Sequence, residues 1–407
     1  MTLNKLSEKL SILAMLLIGF QYFAIPLYTS RYDISSFLLL LSAVIATKES
    51  KLISKTLVIV LSAFILIELV KYLNFQISPL HRIFSGLVWI GGLLLIFIKK
   101  DFIYYDQEKI FKAILIGTLI TCTFMVIQNI GGMYRPLGLF DEPSYAGLFL
   151  YSISSAFFGV AILSNIRFKY RLLNVIFGLV VMSFALLTLS MHVVTFSVVL
   201  STILFILLSI NSSMALKLGV GIFMGLFFLI LAYVITDNPH YLVRISLVSN
   251  SKEISVLAWL RGLDQALHAF QASPIFGFGL GATGGFEMQS ASQEMLESTN
   301  MGFLTKLDAY SMMFRLVVEL GFAFVLLFLL YIIAQLKNFR KVLLSNKSRN
   351  TDLYYFIFIF IFSFSLIVGI LIKEPTYSRS YVYVSIFLFT TILTVMKKDI
   401  VHKSNLS

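Results

Sequence analysis

Residues 353–372 read LYYFIFIFIFSFSLIVGILI, twenty positions without one charged side chain. Wound as a helix they extend about 30 Å, the thickness of a bilayer's hydrocarbon core. Apolar runs of this kind recur along nearly the whole chain of 407 residues, of which 58% are hydrophobic and 13% charged, with a mean hydropathy of +0.91. A soluble domain of this size needs far more charge to cover its surface. The sequence therefore predicts an all-α integral membrane protein of about twelve transmembrane helices. The runs lie near residues 10–29, 34–47, 56–73, 83–98, 110–130, 143–163, 172–190, 193–210, 215–235, 310–335, 353–372 and 380–396. Residues 1–235 thus hold nine spans with short loops, 236–309 a large connection, and 310–407 three spans and a tail. Lys5 and Lys9 before an apolar run resemble a signal peptide, but no small-residue cleavage site follows, so the first run reads as an uncleaved helix.

The net charge of +12 is a statement about orientation. With the N-terminus inside, alternate connections hold 21 of the 32 basic residues, among them Lys48, Lys51 and Lys55, then Lys99, Lys100, Lys109 and Lys112, then Arg167, Lys169 and Arg171. The connections between them are poor in Lys and Arg, which places both termini in the cytoplasm. Charge arranged this way excludes a nucleic-acid partner as its explanation. Cys122, the single cysteine, lies inside an apolar run and excludes an intrachain disulfide and a cysteine-rich metal site. His81 and His240 have no metal-ligand spacing with other candidates, and no metal site or cofactor is expected.

The long outward connection, 236–309, carries a helix-like stretch at 255–271, SVLAWLRGLDQALHAFQ. At about 100° per residue, Val256, Leu260, Leu263, Leu267 and Phe270 share one side, and Arg261, Asp264, Gln265 and His268 the other. Two readings stay open: an interfacial helix with a solvated polar face, or a helix whose Arg261 reaches an anionic substrate beside Asp264 or His268. Arg244, upstream, is a further cation for the same cavity. Pro274-Ile275-Phe276-Gly277-Phe278-Gly279-Leu280-Gly281 follows; without a βαβ unit it is no dinucleotide fingerprint, and its glycines permit tight turns or close approach to a ligand.

A second outward loop runs Tyr134-Arg135-Pro136-Leu137-Gly138-Leu139-Phe140-Asp141-Glu142-Pro143-Ser144-Tyr145. Acid followed by proline is a helix start. Arg135, a lone cation in this loop, is not explained by that, and with a helix N-terminus it suits phosphate oxygens. Glu68 and Glu319 fall within spans, where a carboxylate is costly, and Arg315 one turn before Glu319 is its expected partner. Lys373, Glu374 and Arg379 in the last outward connection read as interfacial anchors, and His192 as a structural turn residue.

At these two loops the chain resembles the bacterial O-antigen polymerase (Wzy) and O-antigen ligase superfamily. Arg135, Gly138 and Phe140-Asp141-Glu142-Pro143-Ser144 look like the family's Arg-x-x-Gly-x-Phe-x-Glu-Pro-Ser segment. Arg261, fifteen residues and Gly277 are similar to its Arg-x15-Gly pattern, ending in Pro-x-x-Gly-x-Gly-x-Gly, and Glu319-Leu320-Gly321 opens a span after the large loop. The resemblance implies a metal-independent glycosyltransferase of GT-C type in the bacterial inner membrane, using undecaprenyl-diphosphate-linked oligosaccharide on the periplasmic side, with a chain-length regulator (polysaccharide co-polymerase) as a further partner beside membrane lipid. Carried over, Arg135, Arg261 and Glu142 are the catalytic candidates. Arg244, Ser144, Tyr145, His268, Asp264 and Gly277 are the diphosphate- and glycan-binding ones. No histidine occurs between His268 and His402, where ligases place one before the span that follows the large loop, which favours polymerase over ligase. The catalytic base stays open among Glu142, Asp308 and His268, Glu142 ranking first. From another class, a flippase for the same lipid-linked unit predicts broken helices, pseudo-symmetry and paired midplane charges; the sequence carries no symmetry.

Overall fold

The computed structural model describes residues 3–18, 25–27, 30–49, 55–75, 80–100, 103, 105–164, 166–190, 254–284, 290–302, 309–345, 351–373, 377 and 379–404. Their helices are α1 (Leu3–Leu16), α2 (Ile34–Glu49), α3 (Lys55–Phe75), α4 (Leu80–Lys99), α5 (Gln107–Ile130), α6 (Pro143–Leu163), α7 (Phe168–Leu187), α8 (Ile254–Ala272), α9 (Ala291–Ser298), α10 (Met312–Ser345), α11 (Thr351–Ile372) and α12 (Ser380–Ser404). Five of them, α5, α6, α7, α10 and α11, are long and apolar enough to cross a membrane, and α2, α4 and α12 hold shorter apolar stretches. The expected spans at 193–210 and 215–235 lie outside the described residues, as do Arg244, Asp308, His192 and His240.

One departure from an all-α chain is a small antiparallel hairpin, β1 (Ile25–Leu27) with β2 (Ser30–Tyr32), in which Pro26 faces Arg31. It corrects the first expected span, 10–29. The helix ends at Leu16 instead, and proline, lacking an N–H, does not fit the interior of such a helix. At the other extreme α10 overruns its expected end at 335 by a further ten residues.

The core is an assembly of α6, α11 and α12 with α1, α2 and α5 around them. Four fifths of α6 and of α11 are enclosed by protein (83% each), against 22% of α7. Aromatic side chains fill the centre: Phe339 stacks on Phe360 at 3.9 Å between centroids, and Phe140 lies parallel to Tyr381 at 5.9 Å. The outside carries large apolar side chains such as Leu119 (68% exposed) and Leu327 (65%). Water would disfavour so continuous an apolar exterior; lipid tails accept it.

Candidate functional site

Gln128 gathers the α5–α6 loop. Gln128 accepts from the amides of Leu137 (2.9 Å) and Gly138 (2.8 Å) and donates to the Gly138 carbonyl (2.7 Å). Gly138 sits at φ 63, and a Cβ there would lie 2.8 Å from Thr121 Cγ2. So fixed, the loop delivers Asp141 and Glu142 to the start of α6, with Glu142 in the N-cap position and Pro143 behind it. Glu142 does not cap its own helix; its carboxylate accepts from the Ser144 hydroxyl at 2.7 Å.

Four elements converge on this point. Lys373 Nζ, after α11, lies 3.6 Å from Glu142 Oε2 and over the rings of Tyr310 (4.5 Å) and Tyr145 (5.7 Å). Arg379 Nη1, before α12, lies 2.7 Å from Asp141 Oδ2 and 3.6 Å from Asp33 Oδ1. Burial alone would raise the Glu142 carboxyl, but Lys373, Ser144 and Arg379 together hold it below its ordinary value. For Asp33 burial prevails, and its carboxyl sits above the usual value despite Arg379 and the Ser380 amide. Tyr310 and Ala309 both take positive φ, 69 and 54, a conformation that costs non-glycine residues energy and is common where a side chain must be aimed.

Lys373 and Arg379 are therefore not plain interfacial anchors, which corrects the sequence reading. The missed signal is the one that singled out Arg135: cations at the end of the bundle otherwise poor in them. Asp33, Tyr310 and Tyr377 had no such signal.

The large-loop helix forms as expected, as α8, and its faces divide as expected only in part. Leu267 and Phe270 are exposed, whereas Arg261 (4% exposed) and Gln265 (2%) are buried against the rest of the protein. Arg261 Nη1 donates to the Gly302 carbonyl at 2.9 Å, and Asp264 accepts from Ser292 Oγ at 2.7 Å. His268 and Val256 depart from the expectation: His268 is exposed and not part of the inward face, and Val256, expected on the outer side, is buried. Gly262 permits a close approach, since a Cβ there would meet the Ala309 carbonyl oxygen at 2.3 Å. Contacts thus run from α8 through Ala309 and Tyr310 to Lys373 and Glu142. Arg135 stands elsewhere: its Nε donates to the Thr188 carbonyl at 3.0 Å, closing the C-terminus of α7. The contacts seen for Arg135 and Arg261 attach them to different elements.

Deeper in the bundle, α10 is interrupted at Gly321 (φ 79, ψ 173). The segment 274–279 docks into the break: Phe278 N donates to Val318 O and Gly279 N to Glu319 O, both at 2.9 Å, while Phe322 N donates to Pro274 O at 2.9 Å and Ala323 N to Ile275 O at 3.3 Å. Gly277, a ligand-binding candidate from sequence, serves this junction, its α-carbon pressed against the α10 backbone. Beside it Arg315 Nε pairs with Glu319 Oε1 at 2.9 Å as the spacing predicts. Glu319 also accepts from Thr283 (2.7 Å) and Tyr377 (2.9 Å). Lys71 pairs with Glu68 at 3.0 Å and reaches the Glu319 carbonyl at 3.4 Å, and Glu68 accepts from the Leu280 amide at 2.6 Å. Arg315 lies 4.3 Å from the Tyr377 ring centre, which ties this buried network to the Lys373–Arg379 connection. Among the described residues no group of three His, Cys, Asp or Glu is arranged to hold a metal ion.

Compared with known protein families and with curated proteins, the chain matches no family model and no curated sequence.

Proposed function

We propose that this protein joins lipid-linked sugar repeats into a polysaccharide: the growing glycan leaves undecaprenyl diphosphate and passes to the terminal sugar of an incoming repeat at the outer face of the bacterial inner membrane. The supporting observation is the contact path from α8, which carries Arg261, through Tyr310 to Lys373 and Glu142. It unites the two loops on which the resemblance to O-antigen polymerases rests.

In this reading Glu142, kept ionised by Lys373, takes the proton of the acceptor hydroxyl. The hydroxyl oxygen bonds to the anomeric carbon as the bond from that carbon to the diphosphate oxygen breaks. Lys373, Arg379 and Arg261 are the cations assigned to the negative charge that develops on the diphosphate, and preorganised cations lower such a barrier. The rings of Tyr145 and Tyr310, against which Lys373 lies, hold that cation in place. Each cation already faces a carboxylate or a carbonyl, so diphosphate entry exchanges these partners for phosphate oxygens. Arg135 acts here by fixing the loop that presents Glu142.

The test is purified protein supplied with undecaprenyl-diphosphate oligosaccharide alone, its products resolved by length. A ladder still bearing lipid diphosphate supports the proposal, and activity that appears only when lipid A core is added assigns ligation instead. One observation favours a second reading, a flippase for the same lipid: α10 is broken at Gly321 beside two buried ion pairs, as in transporters. Translocation of a fluorescent lipid-linked sugar across proteoliposomes, without any ladder, would select it.

A further inference from the structure

A large cavity lies away from this cluster. α7 packs along α6, and α6 along α11, but α5 and α7 barely meet. A cleft of about 1000 Å³ remains between them, walled by apolar side chains such as Leu115, Leu119, Phe177 and Val181. Among the described residues its one cation is Arg167, at the start of α7, and Tyr170 and Tyr355 line the same end. Arg167 is exposed and no carboxylate among the described residues pairs with it. Two lysines of α5 at this end are neutralised, Lys109 by Glu8 at 3.0 Å and Lys112 by Glu108.

From this we infer a binding site for an anionic phospholipid, its phosphate on Arg167 between the two tyrosines and an acyl chain lying in the cleft. A soluble anion has no use for the apolar walls, and a zwitterionic lipid carries its own cation. Lipid tails gain little by exchanging bilayer for apolar protein, so occupancy is decided at the head. Basic pockets between membrane helices at their basic end bind anionic head groups for this reason, and one guanidinium near the surface is worth about fivefold in affinity. Lys169 and Arg171, in the first turn of α7, extend the same field.

The chain supplies its own reporter, because its single cysteine, Cys122, lines the cleft. It lies about 22 Å along α5 from Gln107, where the end of an acyl chain anchored at Arg167 arrives. Bimane on Cys122 is followed in phosphatidylcholine nanodiscs containing phosphatidylglycerol or phosphatidylcholine with a nitroxide near the chain end. Half-quenching is expected at about fivefold less phosphatidylglycerol than labelled phosphatidylcholine, and Arg167→Gln removes the difference. Native mass spectrometry of the unlabelled protein is expected to retain phosphatidylglycerol, and the variant to lose it. Equal quenching by both lipids, a preference that survives Arg167→Gln, or no quenching by either because protein fills the cleft, each overturns the site.

Discussion

Replacing Gly321 with alanine adds one methyl group at the break in α10, where three separate terms oppose it. The backbone, at φ 79 and ψ 173, lies in a region that is essentially glycine's own, and another residue there costs about 1–3 kcal/mol. The new Cβ would stand 2.2 Å from the Ile275 carbonyl oxygen and 2.6 Å from the Gly277 nitrogen. Those are backbone atoms, so no rotamer relieves the contact and the 274–279 segment must lift. Lifting breaks the four hydrogen bonds between that segment and α10, each worth about 1 kcal/mol net. Together the terms amount to a loss on the order of 5–7 kcal/mol. Gly132 is the internal comparison: its φ is 83, but a Cβ there meets nothing within 4 Å, so alanine costs only about 1–2 kcal/mol. Thermal unfolding in detergent, followed by fluorescence-detected gel filtration, ranks the two. Gly321→Ala is expected to lose several times the midpoint shift of Gly132→Ala; equal shifts would refute the docking of the loop into the break.

Glu142→Gln is expected to slow laddering on the order of 100-fold, with unchanged expression, because the variant cannot accept the acceptor's proton; undiminished length profiles would remove it as base. Since its carboxyl lies below the ordinary 4.5, activity is expected to hold as pH falls from neutral and to drop only below the usual carboxylate range. Lys373→Met removes the main charge that lowers it, so the acid limb of the pH–rate profile moves to higher pH; an unmoved limb would contradict that pairing. Arg315→Leu strands the Glu319 carboxylate in the interior and is expected to cost about 3–5 kcal/mol. Arg315→Leu with Glu319→Leu should cost less than the single change in the same unfolding measurement, and a larger loss in the double variant would show that the pair is not the unit.

The helices were legible because their signal is one-dimensional. Length and lack of charge announce a span whatever surrounds it, and α6 begins and ends where its apolar run does, at 143 and 163. The burial of Arg261 and Gln265 and the exposure of Leu267 and Phe270 on α8 were legible for the same reason, through angular spacing alone, whereas Val256 and His268 fall on the sides opposite to those expected. The junction of the glycine run with Gly321 was not, because 43 residues separate Gly277 from Gly321 in sequence and only the fold brings their backbones together. Lys373 and Arg379 were misread because interfacial cations and buried paired ones look alike until their partners, Glu142 and Asp141, are placed beside them. Arg135 could be singled out from its loneliness, but its carbonyl partner at Thr188 is a matter of where α7 stops.

The enclosure of α11 separates two demands that are easily taken for one. In the finished molecule this helix touches almost no lipid, so its string of Phe and Ile is not required by its final surroundings. During synthesis, however, each segment is handed to the bilayer before its later partners exist, and admission depends on its own side chains. A polar substitution such as Phe360→Ser would therefore be tested twice, first as an unaccompanied entrant and later as a packing partner of Phe339. Defects of the first kind would appear as chains left outside the membrane, and defects of the second as inserted chains that unfold early.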